Sequence, residues 1–265
     1  MNLTVNGAGV YAHTGGQSFD ATRPAVLFVH GAGMDHTVWS LQARYVAHHG
    51  FAVLAVDLPG HGRSDGSALP TIETIADWIA ALLDAVGVAS AVLVGHSMGA
   101  IASLEAAARA PARVSKLVLC GAAERMAVYP DLIAAAEKDP ALARDLIVDW
   151  AFGPHGRVGG NRAAGLWLMT TAQRLIDRAG AGVLANDFRA CDAYRGGAAA
   201  AARVACPALL ILGREDRMTP AKAGRALASK IKDATVAEIL DCGHMMMVEQ
   251  PDETLDCLKR FLGIA

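Results

Sequence analysis

Gly95-His96-Ser97-Met98-Gly99 forms a G-x-S-x-G pentapeptide, in which the serine is either a nucleophile or only a small residue in a tight turn. A serine hydroxyl is a poor nucleophile at neutral pH. It needs a base, and the base needs an orienting acid. The chain offers both downstream. Asp216 follows the apolar run Ala208 to Gly213, and His244 follows Gly243 after the run Thr235 to Cys242. Serine, aspartate and histidine in that order, each at the end of an apolar run, match a nucleophile–acid–base triad. Glu215 competes with Asp216 from the adjacent position, and Asp216 is preferred. His30, His61 and His96 fit less well as the base, because each lies inside another recognisable turn. Asp241 is a candidate to support His244. Acyl transfer also needs donors for a developing oxyanion. The backbone N–H of Met98 would be one, and the Gly-rich turn His30-Gly31-Ala32-Gly33 offers the N–H of Ala32 as the other. That turn has neither G-x-G-x-x-G nor a G-K-[ST] ending, so it is not a phosphate loop.

These residues work together only if the intervening chain brings them to one edge. The segments Ala25 to His30, Ala52 to Leu58, Ala91 to His96 and Val114 to Gly121 are short, continuously apolar runs closed by Gly-containing turns. Strands of a parallel sheet read this way, because helices cover both faces. Between them, Ile72, Ile75, Ala76, Ile79, Leu82, Leu83 and Val86 recur at helical spacing over Thr71 to Val86. The alternation predicts an α/β chain of right-handed β-α-β units around a mostly parallel sheet. A strand running into Gly95 and a small, apolar helix leaving from Met98 make the elbow that the pentapeptide's chemistry requires. Asn6-Gly7 reads as a hairpin turn between the first two strands. Thr219-Pro220 reads as the N-cap and first position of a helix after Asp216. Residues 123 to 203 show helical, Ala-rich sequence without a convincing strand. They read as a helical cap inserted into a core domain made of residues 1–122 and 204–265.

Composition narrows the function classes. The chain has 265 residues and a formal net charge of −2, with no Lys/Arg cluster, so no nucleic-acid partner is expected. Polar residues interrupt every long apolar stretch, so no membrane partner is expected either. The five cysteines (Cys120, Cys191, Cys206, Cys242 and Cys257) never stand in C-x-x-C spacing, which suits reduced thiols and no metal site. The first residues carry no secretory pattern, so the expected location is cytoplasmic. The mean hydropathy of +0.31 suits a hydrophobic lid or a homo-oligomer interface, without separating them.

The motifs His30 to Gly33, Asp57 to Asp65, Gly95 to Gly99, Leu212 to Pro220 and Gly243-His244 together resemble the α/β-hydrolase superfamily, in its compact, capped form. The resemblance runs from about residue 20 to the end, outside the cap. It implies hydrolysis of a small-molecule carboxylic ester, lactone or thioester through an acyl-enzyme on Ser97, with no cofactor. Relatives with an aspartate nucleophile, the haloalkane dehalogenases and epoxide hydrolases, are set aside by Ser97. Proline iminopeptidases typically show H-G-G-P-G, which this loop does not match. A C–C bond hydrolase and a cofactor-free haloperoxidase or perhydrolase share the triad and stay open, as does a non-catalytic small-molecule receptor. The C–C hydrolase loop often carries a proline where this chain has Met34-Asp35. Specificity is expected in the cap, with His30, His96, Trp150, Trp167 and Phe188 as pocket residues and Phe152, Met169 and Tyr194 as further apolar candidates. Among the cap arginines Arg157, Arg162, Arg174, Arg178, Arg189 and Arg195, one could bind a substrate carboxylate. Ordinary packing of a helical lid and solvated surface charge stand against these assignments.

Overall fold

The computed structural model describes residues 1–157, 160–161 and 166–264. The chain opens with a hairpin of β1 (Asn2–Val5) and β2 (Ala8–His13), then alternates β3 (Ala25–Val29), α1 (Ser40–His48), β4 (Ala52–Val56), α2 (Ile72–Ala85), β5 (Ala91–His96), α3 (Met98–Arg109) and β6 (Val114–Cys120). The helices α4 (Pro130–Lys138), α5 (Pro140–Ala151), α6 (Leu168–Asp177), α7 (Val183–Ala193) and α8 (Gly197–Arg203) follow. The body resumes with β7 (Ala208–Gly213), α9 (Ala221–Ala228), β8 (Ala234–Ile239), α10 (Met246–Glu249) and α11 (Pro251–Leu262).

One eight-stranded sheet runs in the order β1-β2-β4-β3-β5-β6-β7-β8. The β1–β2 and β2–β4 pairs are antiparallel and the other pairs are parallel. Asn6 and Gly7 both have positive φ, as a two-residue hairpin turn requires. β3, β4, β5 and β7 are buried along their whole length, which explains their continuous apolar sequence. Successive side chains point to opposite faces. Leu27, Val29, Leu93 and Leu117 pack with α2, α3 and α8, whereas Val26, Phe28, Val92 and Val118 pack with α1, α11 and the helices α4 to α7.

Each helix buries one face of this sheet or of its neighbour. α2 starts with a capping box, in which the Thr71 side chain accepts from the Thr74 N–H and the Thr74 hydroxyl answers the Thr71 N–H. Ile72, Ile75, Ile79, Leu82 and Leu83 form its buried face, each contributing about 1.5–3 kcal/mol if fully buried. α3 is buried from Met98 to Ala107, in keeping with its small, apolar sequence. No strand lies between β6 and β7 among the described residues. Within the range 123–203, α8 nevertheless packs against the body. Its Ala200 and Ala201 sit in the same core as β5 and α3, together with Cys191 and Tyr194 from α7 and its C-terminus. No helix of the described residues is long and apolar enough to cross a membrane.

Candidate active site

The parallel strands all deliver their carboxyl ends to one edge, where ligands bind in open α/β sheets. β5 ends at His96, and Ser97 makes the turn into α3 with φ 52° and ψ −118°. A non-glycine residue in that region carries strain on the order of 1–3 kcal/mol and persists only where the surroundings enforce it. They do so here. A Cβ on Gly99 would lie 2.4 Å from the His30 carbonyl oxygen and 2.5 Å from that of Val29, and one on Gly95 would lie 2.3 Å from the Gly99 oxygen. The elbow is therefore wedged between β3 and its own helix, and the Ser97 N–H donates to the Cys120 carbonyl across to β6.

Asp216 sits three residues beyond β7, and His244 lies in the loop after β8. Both are almost fully buried. His244 Nδ1–H donates to Asp216 Oδ2 at 2.7 Å, which leaves Nε2 with its lone pair in the neutral ring. Nε2 is buried and has no hydrogen-bond partner among the described residues. The ring lies 4.7 Å, centroid to centroid, from His96, the neighbour of Ser97. Burial alone would raise the Asp216 carboxyl, but the His244 ring and the donors of Thr219 outweigh it and hold the group below its ordinary value.

Thr219 corrects the sequence-based expectation. It does not cap α9, which starts at Ala221 with Pro220 at its N-cap. Its N–H donates to Asp216 Oδ1 and its hydroxyl to Asp216 Oδ2, while the Met218 N–H also reaches Oδ1. The aspartate thus makes an Asx-type turn of its own loop, and the threonine serves the carboxylate instead of the helix. Glu215 makes no bond to His244, and Asp241 is exposed, its Oδ1 lying 3.8 Å from His155 Nε2.

Sequence reasoning passed over Glu249. This buried carboxylate accepts from the N–H groups of Gly153, Gly243 and Met245, and so binds the His244 loop to the turn after α5. Burial raises its pKa despite those three donors. The only sequence signal is an acidic residue five positions after His244 on a short helix.

Of the oxyanion candidates, neither the Ala32 nor the Met98 N–H is among the backbone donors engaged in turns and loops. His30 and His96 are fully buried struts. His30 Nδ1–H donates to the Gly31 carbonyl and Nε2 accepts from the Leu58 N–H, tying the ends of β3 and β4. Burial first, and the nearby His61 next, lower its pKa to about 4. His96 Nε2–H donates to the His244 carbonyl, and burial and the His244 ring lower its pKa to about 3. Trp150 packs edge-on against Tyr129, Trp167 is 60% exposed at the start of α6, and Phe188 is buried among cap and body residues. A hollow of about 200 Å³ lies instead between the turn at Thr37-Val38, the α6 residues Leu168 and Leu175, Phe152, and Met245 directly after His244. Arg174 and Arg178 border it. Arg157, Arg178 and Arg189 face Asp149, Asp35 and Glu137, and Arg195 bonds backbone carbonyls; Arg162 lies outside the described residues. Asp35, His36 and Asp57 cluster closely enough to hold a cation. Their ligand atoms are, however, engaged with each other and with the N–H groups of His36, Thr37 and Arg63.

Comparison with known proteins agrees with this architecture. Over 246 residues the chain is 31% identical to the pimeloyl-[acyl-carrier protein] methyl ester esterase of Aromatoleum aromaticum, covering 87% of this chain and 95% of that one. The enol-lactonase of Burkholderia xenovorans superposes with a TM-score of 0.88 at 24% identity, over 99% of this chain and all of that one. A thermophilic esterase superposes at 0.80 with 27% identity, over 99% of this chain and 96% of that one. A family model described as alpha/beta hydrolase fold matches residues 24–251. With the sheet order, the elbow and these matches in place, the chain belongs to the alpha/beta hydrolase fold family and is a hydrolytic enzyme.

Proposed function

We propose that this protein is a serine hydrolase that cleaves a small-molecule carboxylic ester or lactone through an acyl-enzyme on Ser97. The observation that carries this reading is the buried His244 ring, held by Asp216 through Nδ1 and free at Nε2 beside the strained elbow. In the reaction His244 Nε2 takes the Ser97 proton as the hydroxyl attacks the acyl carbon. Asp216 fixes the ring tautomer and stabilises the imidazolium that forms. The Ala32 and Met98 N–H groups receive the oxyanion, His244 returns the proton to the leaving alcohol, and it then activates water for deacylation. The apolar hollow next to Met245 is the place for the acyl or alcohol chain. The ester and lactone chemistry named for the relatives from Aromatoleum and Burkholderia supports the same class of bond.

The test is an ester, lactone and thioester panel run on the purified enzyme with Ser97→Ala and Asp216→Asn. Ser97→Ala should lose turnover by on the order of a millionfold. Asp216→Asn should lose about ten-thousandfold in kcat, because the amide no longer selects the Nδ1–H tautomer. A wild-type protein inactive on every acyl substrate and unlabelled at Ser97 by a fluorophosphonate would overturn the reading.

A further inference from the structure

We infer that Asp187, on the cap helix α7, is a positioning residue that holds the oxyanion loop in place through the Gly33 N–H. The inference rests on the proposed acyl transfer at Ser97. Asp187 is buried, and its Oδ2 accepts from the Gly33 N–H at 2.9 Å and from His61 Nε2 at 2.8 Å. Gly33 is the residue after Ala32, so the peptide fixed by this bond is the one next to the expected oxyanion donor. The contact is tight. Gly33 has φ +65°, and a Cβ there would lie 2.8 Å from Leu184 Cδ1, one turn earlier on α7. A side chain at Gly33 would be strained by that positive φ, and the flexible end of Leu184 would have to move aside for it.

His61 makes the carboxylate a charged clamp. Its Nδ1 lies 3.0 Å from the Pro59 carbonyl and its Nε2 faces the Asp187 carboxylate. Both partners accept, so both ring nitrogens carry protons and the ring is an imidazolium. The groups facing it agree. Asp187 reaches it from α7 and Asp57 from the end of β4, while His30 from the end of β3 is neutral in its own hydrogen bonds. Burial would lower the His61 pKa, but the bond and charge of Asp187 reverse this and raise it. The Asp187–His61 pair thus joins three parts of the molecule: the cap, the oxyanion loop and the turn after β4. Removing the carboxylate frees the Gly33 peptide. An error of about 1 Å in a catalytic donor is enough to cost about a hundredfold in rate.

The experiment compares wild type, Asp187→Ala, Asp187→Asn and Asn186→Ala on one ester substrate, with amide hydrogen exchange read at Gly33. Asp187→Ala is expected to lower kcat by about tenfold to a hundredfold, to leave KM within about twofold, and to speed Gly33 exchange. Asp187→Asn keeps an acceptor for the Gly33 N–H and is expected to retain kcat within about threefold. Asn186→Ala breaks the adjacent bond from Asn186 Nδ2 to the Leu69 carbonyl and a longer 3.4 Å contact to Asp187 Oδ1, while leaving the Oδ2 contacts to Gly33 and His61 in place, and should leave kcat within about threefold. If Asp187→Ala does not fold, Asp187→Ser, whose hydroxyl is one bond too short to reach Gly33, carries the same expectation. Unchanged kcat in Asp187→Ala, or an equal loss in Asn186→Ala, overturns the inference. If the wild type itself turns over no ester, the proposed function fails instead. The Gly33 exchange rate then decides the clamp, and an unaltered rate in Asp187→Ala overturns it.

Discussion

Ser97 is the residue on which local strain and the proposed chemistry meet. Its φ of 52° is imposed by the close approach of α3 to β3, and the same approach is what presents the hydroxyl at the sheet edge. Gly99 is the point of contact. Gly99→Ala forces a methyl group into two backbone carbonyls, neither of which can yield as a flexible side chain would. It is expected to destabilise the fold by about 2–4 kcal/mol and to lower kcat by displacing the elbow, as read by urea unfolding and by turnover of correctly folded enzyme. Asp216 illustrates how a single residue can be legible while its neighbour is not. Its place after an apolar run marks it in the sequence, but the role of Thr219 appears only when three donors are found converging on the carboxylate.

At the scale of elements, sequence pattern and structure agree where burial is simple. β3, β4, β5 and β7 have both faces covered, so their residues are apolar without alternation. α2 has one buried face, a Thr71 cap and a matching Thr74. Thr71→Ala should cost about 1 kcal/mol of stability and leave kcat unaltered, because the cap lies away from Ser97 and His244; chemical denaturation alongside steady-state kinetics checks both. Agreement is weaker where a helix is polar on most of its surface. α1 buries only Gln42, Ala43, Val46 and Ala47, and Gln42 earns its burial through a long-range bond from Nε2 to the Met247 carbonyl. Such an element shows little periodicity, because tertiary partners set its position instead of an apolar stripe. α8 is short and built of alanine, so nothing local tells whether it covers the cap or the body. Its packing on α3 settles that.

Over the whole molecule, the helices between β6 and β7 are fastened to the sheet by buried charges as well as by apolar packing. His61 gives this joint a pH dependence with a definite sign. Its folded pKa is raised above the ordinary histidine value of 6.5, so the stability it contributes is fully present below about pH 6.5. That contribution is lost as pH rises through the raised value. Urea midpoints measured at about pH 6 and about pH 9 should therefore fall further for wild type than for His61→Gln, which has no titrating ring. Equal falls in the two proteins would show that His61 stays in one protonation state throughout.

Taken alone, the sequence determined the hydrolase family and the framework. Ser97, Asp216 and His244 are recognisable because each follows an apolar run and a turn, and buried parallel strands must be apolar throughout. Periodicity of 3.6 residues likewise marks α2, since only one of its faces meets the sheet. Only the tertiary structure decided how the helices between β6 and β7 engage this framework. Trp150, Trp167 and Phe188 share an aromatic character that suits a pocket, a surface or a core equally well, and the fold put them in three different environments. Asp187 and Glu249 are ordinary polar residues in the sequence. Their importance comes from burial beside backbone N–H groups 154 residues away in the case of Asp187 and Gly33, and 96 in the case of Glu249 and Gly153. Long-range pairing of that kind leaves no periodic trace along the chain, because it depends on where the sheet and cap place the two ends in space.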